Sequence, residues 1–172
     1  LDQVSFHVER GTVVSMVGEN WARKSTLVKI TGGVISPDEG KIIYDGKEIS
    51  IKSPKQAEEI GISIVHQELP ICENMTVAQN IFLGAELPGK GMFPDRKYMY
   101  NKSLELFDEL DISLDPNKPV SECSMGERQL IIIASAISKN AKFILMDEPT
   151  TALSPAEVEV LYDAIERLKE NG

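Results

Sequence analysis

Gly18, Lys24 and Ser25 have the spacing of a phosphate-binding loop, which reads glycine, four residues, then Gly-Lys-Ser or Gly-Lys-Thr. Arg23 stands where the second glycine belongs. Such a loop binds anions because successive backbone N–H groups converge on phosphate at a helix N-terminus and the lysine adds a mobile positive charge. Lys24 and Ser25 are placed for that chemistry, with the Ser25 hydroxyl available to Mg²⁺. A second pair, Asp147-Glu148, closes the apolar run Phe143 to Met146. There Asp147 would hold the same ion, directly or through water, and Glu148 would polarise an attacking water. Each pair alone could equally be a solvated helix start or a helix cap. Found together, in this order and each behind a strand, they point to phosphate chemistry.

The elements that must position these residues follow from patterning. Val4 to Val8 alternates and reads as a half-buried strand, and Thr12 to Val17 as a buried one, leading into the loop. A helix begins at Ser25 to Ile30 and stops at Gly32-Gly33. Lys41 to Tyr44 and Lys47 to Ile49 flank Asp45-Gly46, a hairpin signal. Ser53-Pro54 starts a short helix to about Ile60, followed by a strand at Ile62 to Val65.

From Thr76 the texture becomes helical. Thr76 to Gln79 is a capping box, and a Gly/Pro-rich link from Gly84 to Pro94 precedes a helix ending near Leu110 with the stripe Leu104, Phe107, Leu110. Asp111 to Pro119 is loop. Ser124 to Glu127 caps a helix through Ile137, although Leu130 to Ile133 alone would read equally as a strand. Phe143 to Met146 is a buried strand, and Ser154 to Glu157 caps a last helix whose core face is Val158, Leu161, Tyr162, Ile165 and Leu168. The order implies a parallel α/β core, about residues 1–74 and 139–172, interrupted by a helical subdomain at about 75–138.

Bulk properties narrow the function. A length of 172 residues, 42% hydrophobic and 26% charged, suffices for one full core. The net charge of -9 argues against a nucleic-acid surface, which needs clustered Lys and Arg. The longest apolar run, Leu130 to Ile137, is too short to cross a bilayer, and no charged-then-apolar leader opens the sequence, so a membrane role is expected to run through a partner. Cys72 and Cys123 lack metal-ligand spacing and are expected as free thiols; His7 and His66 are each expected as a surface or hydrogen-bond-satisfied histidine.

Four segments in order, Gly18-Glu19-Asn20 with Lys24-Ser25-Thr26, Val65-His66-Gln67-Glu68, Ser124-Met125-Gly126-Glu127-Arg128-Gln129 and Ile144 to Ser154, resemble the ATPase domain of ABC transporters. The likeness is strongest to sugar importers of the galactose and methyl-galactoside type, through Gly91-Met92-Phe93, Phe107 to Ile112 and Asn140-Ala141-Lys142. It implies an α/β P-loop NTPase fold, RecA-like and of ABC type, with an N-terminal antiparallel β part and an inserted helical subdomain. It implies ATP bound by Gly18, Glu19, Asn20, Lys24, Ser25 and Thr26. Mg²⁺ would be held by Ser25, Gln67 and Asp147, and catalysis served by Glu148, Gln67 and Lys24. Ser124, Met125 and Gly126 would be the signature motif, closing with Ser124 and Gly126 over nucleotide on the opposite subunit, and Leu153-Ser154 would lie in the loop that touches that subunit. Without the resemblance, Gln67 reads as a surface polar residue.

The implied partners are membrane permease subunits, a second nucleotide-binding domain in a dimer or tandem, and indirectly a periplasmic or extracellular sugar-binding protein. The implied place is peripheral, at the cytoplasmic face of the membrane. The family's adenine-stacking aromatic and switch histidine are expected outside Leu1 to Gly172. Trp21 and Arg23 each replace a family glycine and are expected to weaken nucleotide binding, through their Cβ bulk and, were either left-handed, a cost of about 1–2 kcal/mol. Cys123, Met125 and Glu127 also depart from the usual signature. Two readings stand: an ATPase driving a sugar permease, and a non-catalytic ABC domain that docks on its partners. A lone P-loop kinase or GTPase does not account for Gln67, the signature and Glu148-Pro149-Thr150 together.

Overall fold

In the computed structural model residues 4–17, 21–65, 70–85 and 95–170 are described, with the backbone alone for 21–23. The hairpin signal at Asp45-Gly46 produces β1 (Ile42–Tyr44) and β2 (Lys47–Ile49), paired antiparallel. Both turn residues have positive φ, 49° and 73°, as a two-residue hairpin turn of this hand requires. β3 (Ile62–Val65) pairs in parallel with β4 (Phe143–Met146), in register from Ile62 opposite Phe143 to Val65 opposite Met146. A long helical excursion separates these two strands in sequence, as a parallel pair demands.

The helices are α1 (Trp21–Thr31), α2 (Pro54–Glu59), α3 (Val77–Ile81), α4 (Arg96–Leu110), α5 (Met125–Ser138) and α6 (Pro155–Glu170). Their starts follow from side chains that satisfy the unpaired first-turn N–H groups. Ser53 accepts from Gln56 N–H at 3.2 Å; Thr76 and Gln79, and Ser124 and Glu127, form reciprocal boxes; Asp95 accepts from Lys97 and Tyr98. The segment around Leu130 is therefore helix, because the box at Ser124 imposes a helical period on the residues after it.

Two apolar clusters result. α3, α4, α5 and α6 enclose Val77, Ile81, Phe107, Leu110, Ile131, Ile133 and Leu161, whereas the strand side holds Ile51, Ala57, Ile62 and Leu145. Met146, at the end of β4, packs on the helical cluster, and Lys139 pairs with Glu58 at 2.7 Å across the two. Cys72 and Cys123 are free thiols, His7 is exposed, and His66 lies outside the described residues. Among the described residues no helix is long and apolar enough to cross a membrane.

The structure corrects four expectations. Val4 to Val8 and Thr12 to Val17 form no strand, and Val13 and Val17 stand 60% and 94% exposed. Among the described residues nothing pairs with them, and an isolated extended segment has neither a ladder nor a face to bury. β4 is half-buried except at Leu145, since its only described neighbour is β3. Leu104 is 43% exposed; the buried stripe of α4 is Met99, Ser103, Phe107 and Leu110, with the Ser103 hydroxyl donating to the Met99 carbonyl at 2.8 Å so that a small polar residue fits inside. On α6, Tyr162 is 56% exposed and Ala164 takes the buried place beside Leu161.

Candidate functional site

Asp147 comes directly after β4. Its N–H donates to the Val65 carbonyl at 3.0 Å, adding one more bond to the parallel pair and setting the carboxylate at the strands' carboxyl ends. That is where ligand sites form in parallel α/β sheets. Glu148 comes next with φ of 50°, a left-handed backbone that costs a non-glycine residue on the order of 1–3 kcal/mol. Its Oε2 accepts from the Thr151 hydroxyl at 3.2 Å, while Thr151 N–H reaches the Glu148 carbonyl at 3.4 Å, so a tight turn rather than a helix cap holds the acid.

Lys24, Ser25 and Thr26 are half-buried on α1. Trp21 and Arg23 lie inside the same helix, where the backbone is right-handed; the left-handed strain considered for them does not arise, and Cβ bulk is what remains. α1 is seated by its C-terminal end. A Cβ on Gly32 would come within 1.8 Å of Ile64 Cδ1 on β3, and Gly33, at φ of 71°, passes against Ile51 and Ser53. The Gly32-Gly33 pair thus both ends the helix and lets it approach the sheet. Gly18, Glu19, Asn20 and Gln67 lie outside the described residues.

A dense polar cluster forms where α5 and α6 begin. The Ser124 N–H donates to Glu127 Oε2 at 2.8 Å, and Glu127 N–H donates back to Ser124 Oγ at 3.2 Å. Both Glu127 oxygens also accept from Lys118 Nζ at 2.8 Å, which raises the Lys118 pKa above its usual value. Arg128 donates to the Cys123 carbonyl and pairs with Glu73 at 2.8 Å.

The Ser124 hydroxyl itself donates to Glu157 Oε1 at 2.7 Å, and Gly126 N–H donates to the same oxygen at 2.9 Å. The other oxygen, Oε2, accepts from Ser154 N–H at 2.9 Å and from the Ser154 hydroxyl at 2.8 Å. These four bonds, the Ser124 hydroxyl first among them, hold the Glu157 carboxyl down to about 2. Gly126 is what lets the carboxylate in, since a Cβ there would lie 2.7 Å from Glu157 Cγ.

The structure therefore sets Asp147 beside Glu148 and brings Ser124 and Gly126 onto one carboxylate oxygen. Glu157 is the residue that sequence reading missed. It reads as a local cap of α6, and no spacing signal connects it to a serine on another helix.

Comparison with known proteins gives the family and the fold. The family model for ABC transporters matches residues 1–151. A ribose import ATP-binding protein of Clostridium perfringens is 46% identical over all of this chain and 34% of its own length. A galactose/methyl galactoside import ATP-binding protein of Fusobacterium nucleatum is likewise 46% identical over all of this chain and 34% of its own length. The chain thus spans about a third of the length of these relatives. Among solved structures, the ADP conformation of an ATP-binding cassette of an ABC transporter superposes with a TM-score of 0.84 at 28% identity, over 98% of this chain and 70% of that one. A nucleotide-free ATP-binding cassette gives 0.86 at 27%, over 100% and 72%. With the fold of these P-loop cassettes and a family match running from residue 1 through the Asp147-Glu148 turn, the chain belongs to the ABC transporter family.

Proposed function

We propose that this chain is the nucleotide-binding part of an ATP-driven sugar importer. The observation that carries the reading is the start of α5, where the Ser124 hydroxyl and the Gly126 N–H together hold one anionic oxygen, as a phosphate would require of them. The names of the ribose and galactose import relatives supply the substrate class.

The donor set suits ATP with Mg²⁺. Lys24 would neutralise phosphate charge, and Gly18, Glu19, Asn20 and Thr26 would complete the loop around it. Among the described residues no three His, Cys, Asp or Glu side chains converge as a metal site, so the ion would be shared by Asp147, the Ser25 hydroxyl, Gln67 and the nucleotide's own oxygens, as hard oxygen ligands allow. Bound there, the ion would neutralise charge developing on the phosphate. Glu148 would orient the attacking water and accept its proton, Gln67 would sense the nucleotide, and Ser124 and Gly126 would close over nucleotide on a second such domain. A purely docking domain would need neither the strained Glu148 nor the anion-holding start of α5, which disfavours the non-catalytic alternative. The clustering of α3, α4 and α5 supports a helical subdomain at about 75–138 set into a core of about 1–74 and 139–172, with α6 packed against the helical cluster. The domain would sit peripherally at the cytoplasmic face of the membrane on permease subunits, with a sugar-binding protein on the far side.

Trp21 and Arg23 would weaken nucleotide binding through bulk at the loop. The test compares MgATP affinity and hydrolysis of this chain with Trp21→Gly/Arg23→Gly. The double change is expected to tighten binding about tenfold or more. Equal affinity in the two would remove the impairment, and no binding in either would remove the ATP reading.

A further inference from the structure

We propose that Glu157 is a positioning residue for the signature: its Oε1 holds Ser124 and Gly126 when no nucleotide is present, and must release them before they can bind a nucleotide phosphate. The inference rests on the reading of Ser124 and Gly126 as phosphate-binding groups and goes beyond it by naming what competes for them.

The competition comes down to proton counting. A serine hydroxyl has one proton to donate, and Ser124 donates it to Glu157 Oε1 at 2.7 Å. The lone pairs of the same hydroxyl serve Glu127 N–H, so the side chain cannot donate to a second anion while it stays in place. Gly126 likewise has one N–H, and it points at the same oxygen at 2.9 Å. A phosphate oxygen arriving at these donors meets a carboxylate already seated there, and two anions cannot share the pair without strong repulsion.

Release is local because the two carboxylate oxygens divide the work. Oε2 caps α6 through Ser154, and Oε1 alone reaches α5. A small shift of α5 against α6 frees the signature donors and leaves the α6 cap in place. Glu157 lies just beyond Leu153-Ser154, so movement of that loop would be transmitted to Ser124 through one side chain.

The experiment monitors association of the chain driven by MgATPγS, a slowly hydrolysed nucleotide, by analytical ultracentrifugation in the Trp21→Gly/Arg23→Gly protein. Three further changes are added to it one at a time. Glu157→Gln keeps the shape and the α6 cap, since glutamine serves at that capping position as glutamate does, but removes the charge. Glu157→Asp keeps the charge on α6 and shortens the reach to α5. Both are expected to lower the nucleotide concentration for half-maximal association by about threefold or more. A purely structural Glu157 would instead loosen α5 and raise it, so an unchanged or raised midpoint in both variants overturns the proposal. Ser124→Ala separates this result from failure of the underlying reading: it is expected to abolish nucleotide-driven association. If Ser124→Ala associates normally, or if the parent shows no nucleotide-driven association, the phosphate-binding reading of the signature fails and the proposal with it.

Discussion

Glu148 sits in a left-handed backbone that glycine would tolerate better, at φ of 50°. Removing its side chain should therefore separate stability from chemistry. Glu148→Gly is expected to raise the unfolding free energy from urea titration by roughly 0.5–1 kcal/mol, once the extra freedom of glycine in the unfolded chain offsets part of the relieved strain. The same change should abolish hydrolysis in the glycine-restored loop. Glu148→Gln keeps both the strain and the size, so it should leave the midpoint in place, keep nucleotide binding and lose turnover; equal loss of binding and turnover would remove Glu148 from the catalytic step. The candidate residues could be picked out of the sequence because loop chemistry is local: a lysine and a serine behind a glycine, two acids behind an apolar strand. Their partners were not. The bond from Ser124 to Glu157 crosses between two helices, and spacing along one helix cannot report it.

At the scale of elements, caps were the most readable feature. Ser53, Thr76, Ser124 and Ser154 each start a helix within a residue of the sequence expectation, because a cap is decided by side chains three positions apart. Burial was less readable, since it depends on neighbours. Thr12 to Val17 has strand composition and no described pairing partner, and the α4 stripe includes a serine that only its bond to the Met99 carbonyl makes compatible with the core. Gly32 illustrates the same point. In sequence it reads as a helix stop, yet in the fold it is a contact surface. Gly32→Ala is expected to cost about 1–3 kcal/mol in urea unfolding, because its new methyl would collide with Ile64 Cδ1. Ile64→Val deletes that δ-carbon, so the double variant should recover part of the loss relative to Ile64→Val alone. Purely additive costs would show that the glycine is needed only to stop the helix.

For the molecule as a whole, α5 and α6 pack together in the helical cluster, and Glu157 is the carboxylate that joins the starts of those helices. Its charge should consequently show in acid unfolding. The carboxyl ordinarily titrates near 4.5 and is held down to about 2 in the fold. A depressed carboxyl binds fewer protons in the folded chain than in the unfolded one, so it contributes stability that is complete above about pH 4.5 and is lost as pH falls toward about 2. Asp45, bonded to Arg10, is depressed too and loses its contribution on acidification in the same direction, so a falling midpoint alone does not identify Glu157. The informative quantity is the difference between the original chain and Glu157→Gln, whose amide does not titrate. Urea midpoints taken from about pH 6 downward should converge for the two proteins below about pH 4.5, with the original chain falling faster. Parallel curves through that window would mean that the charge of Glu157 does not hold the two helix starts together.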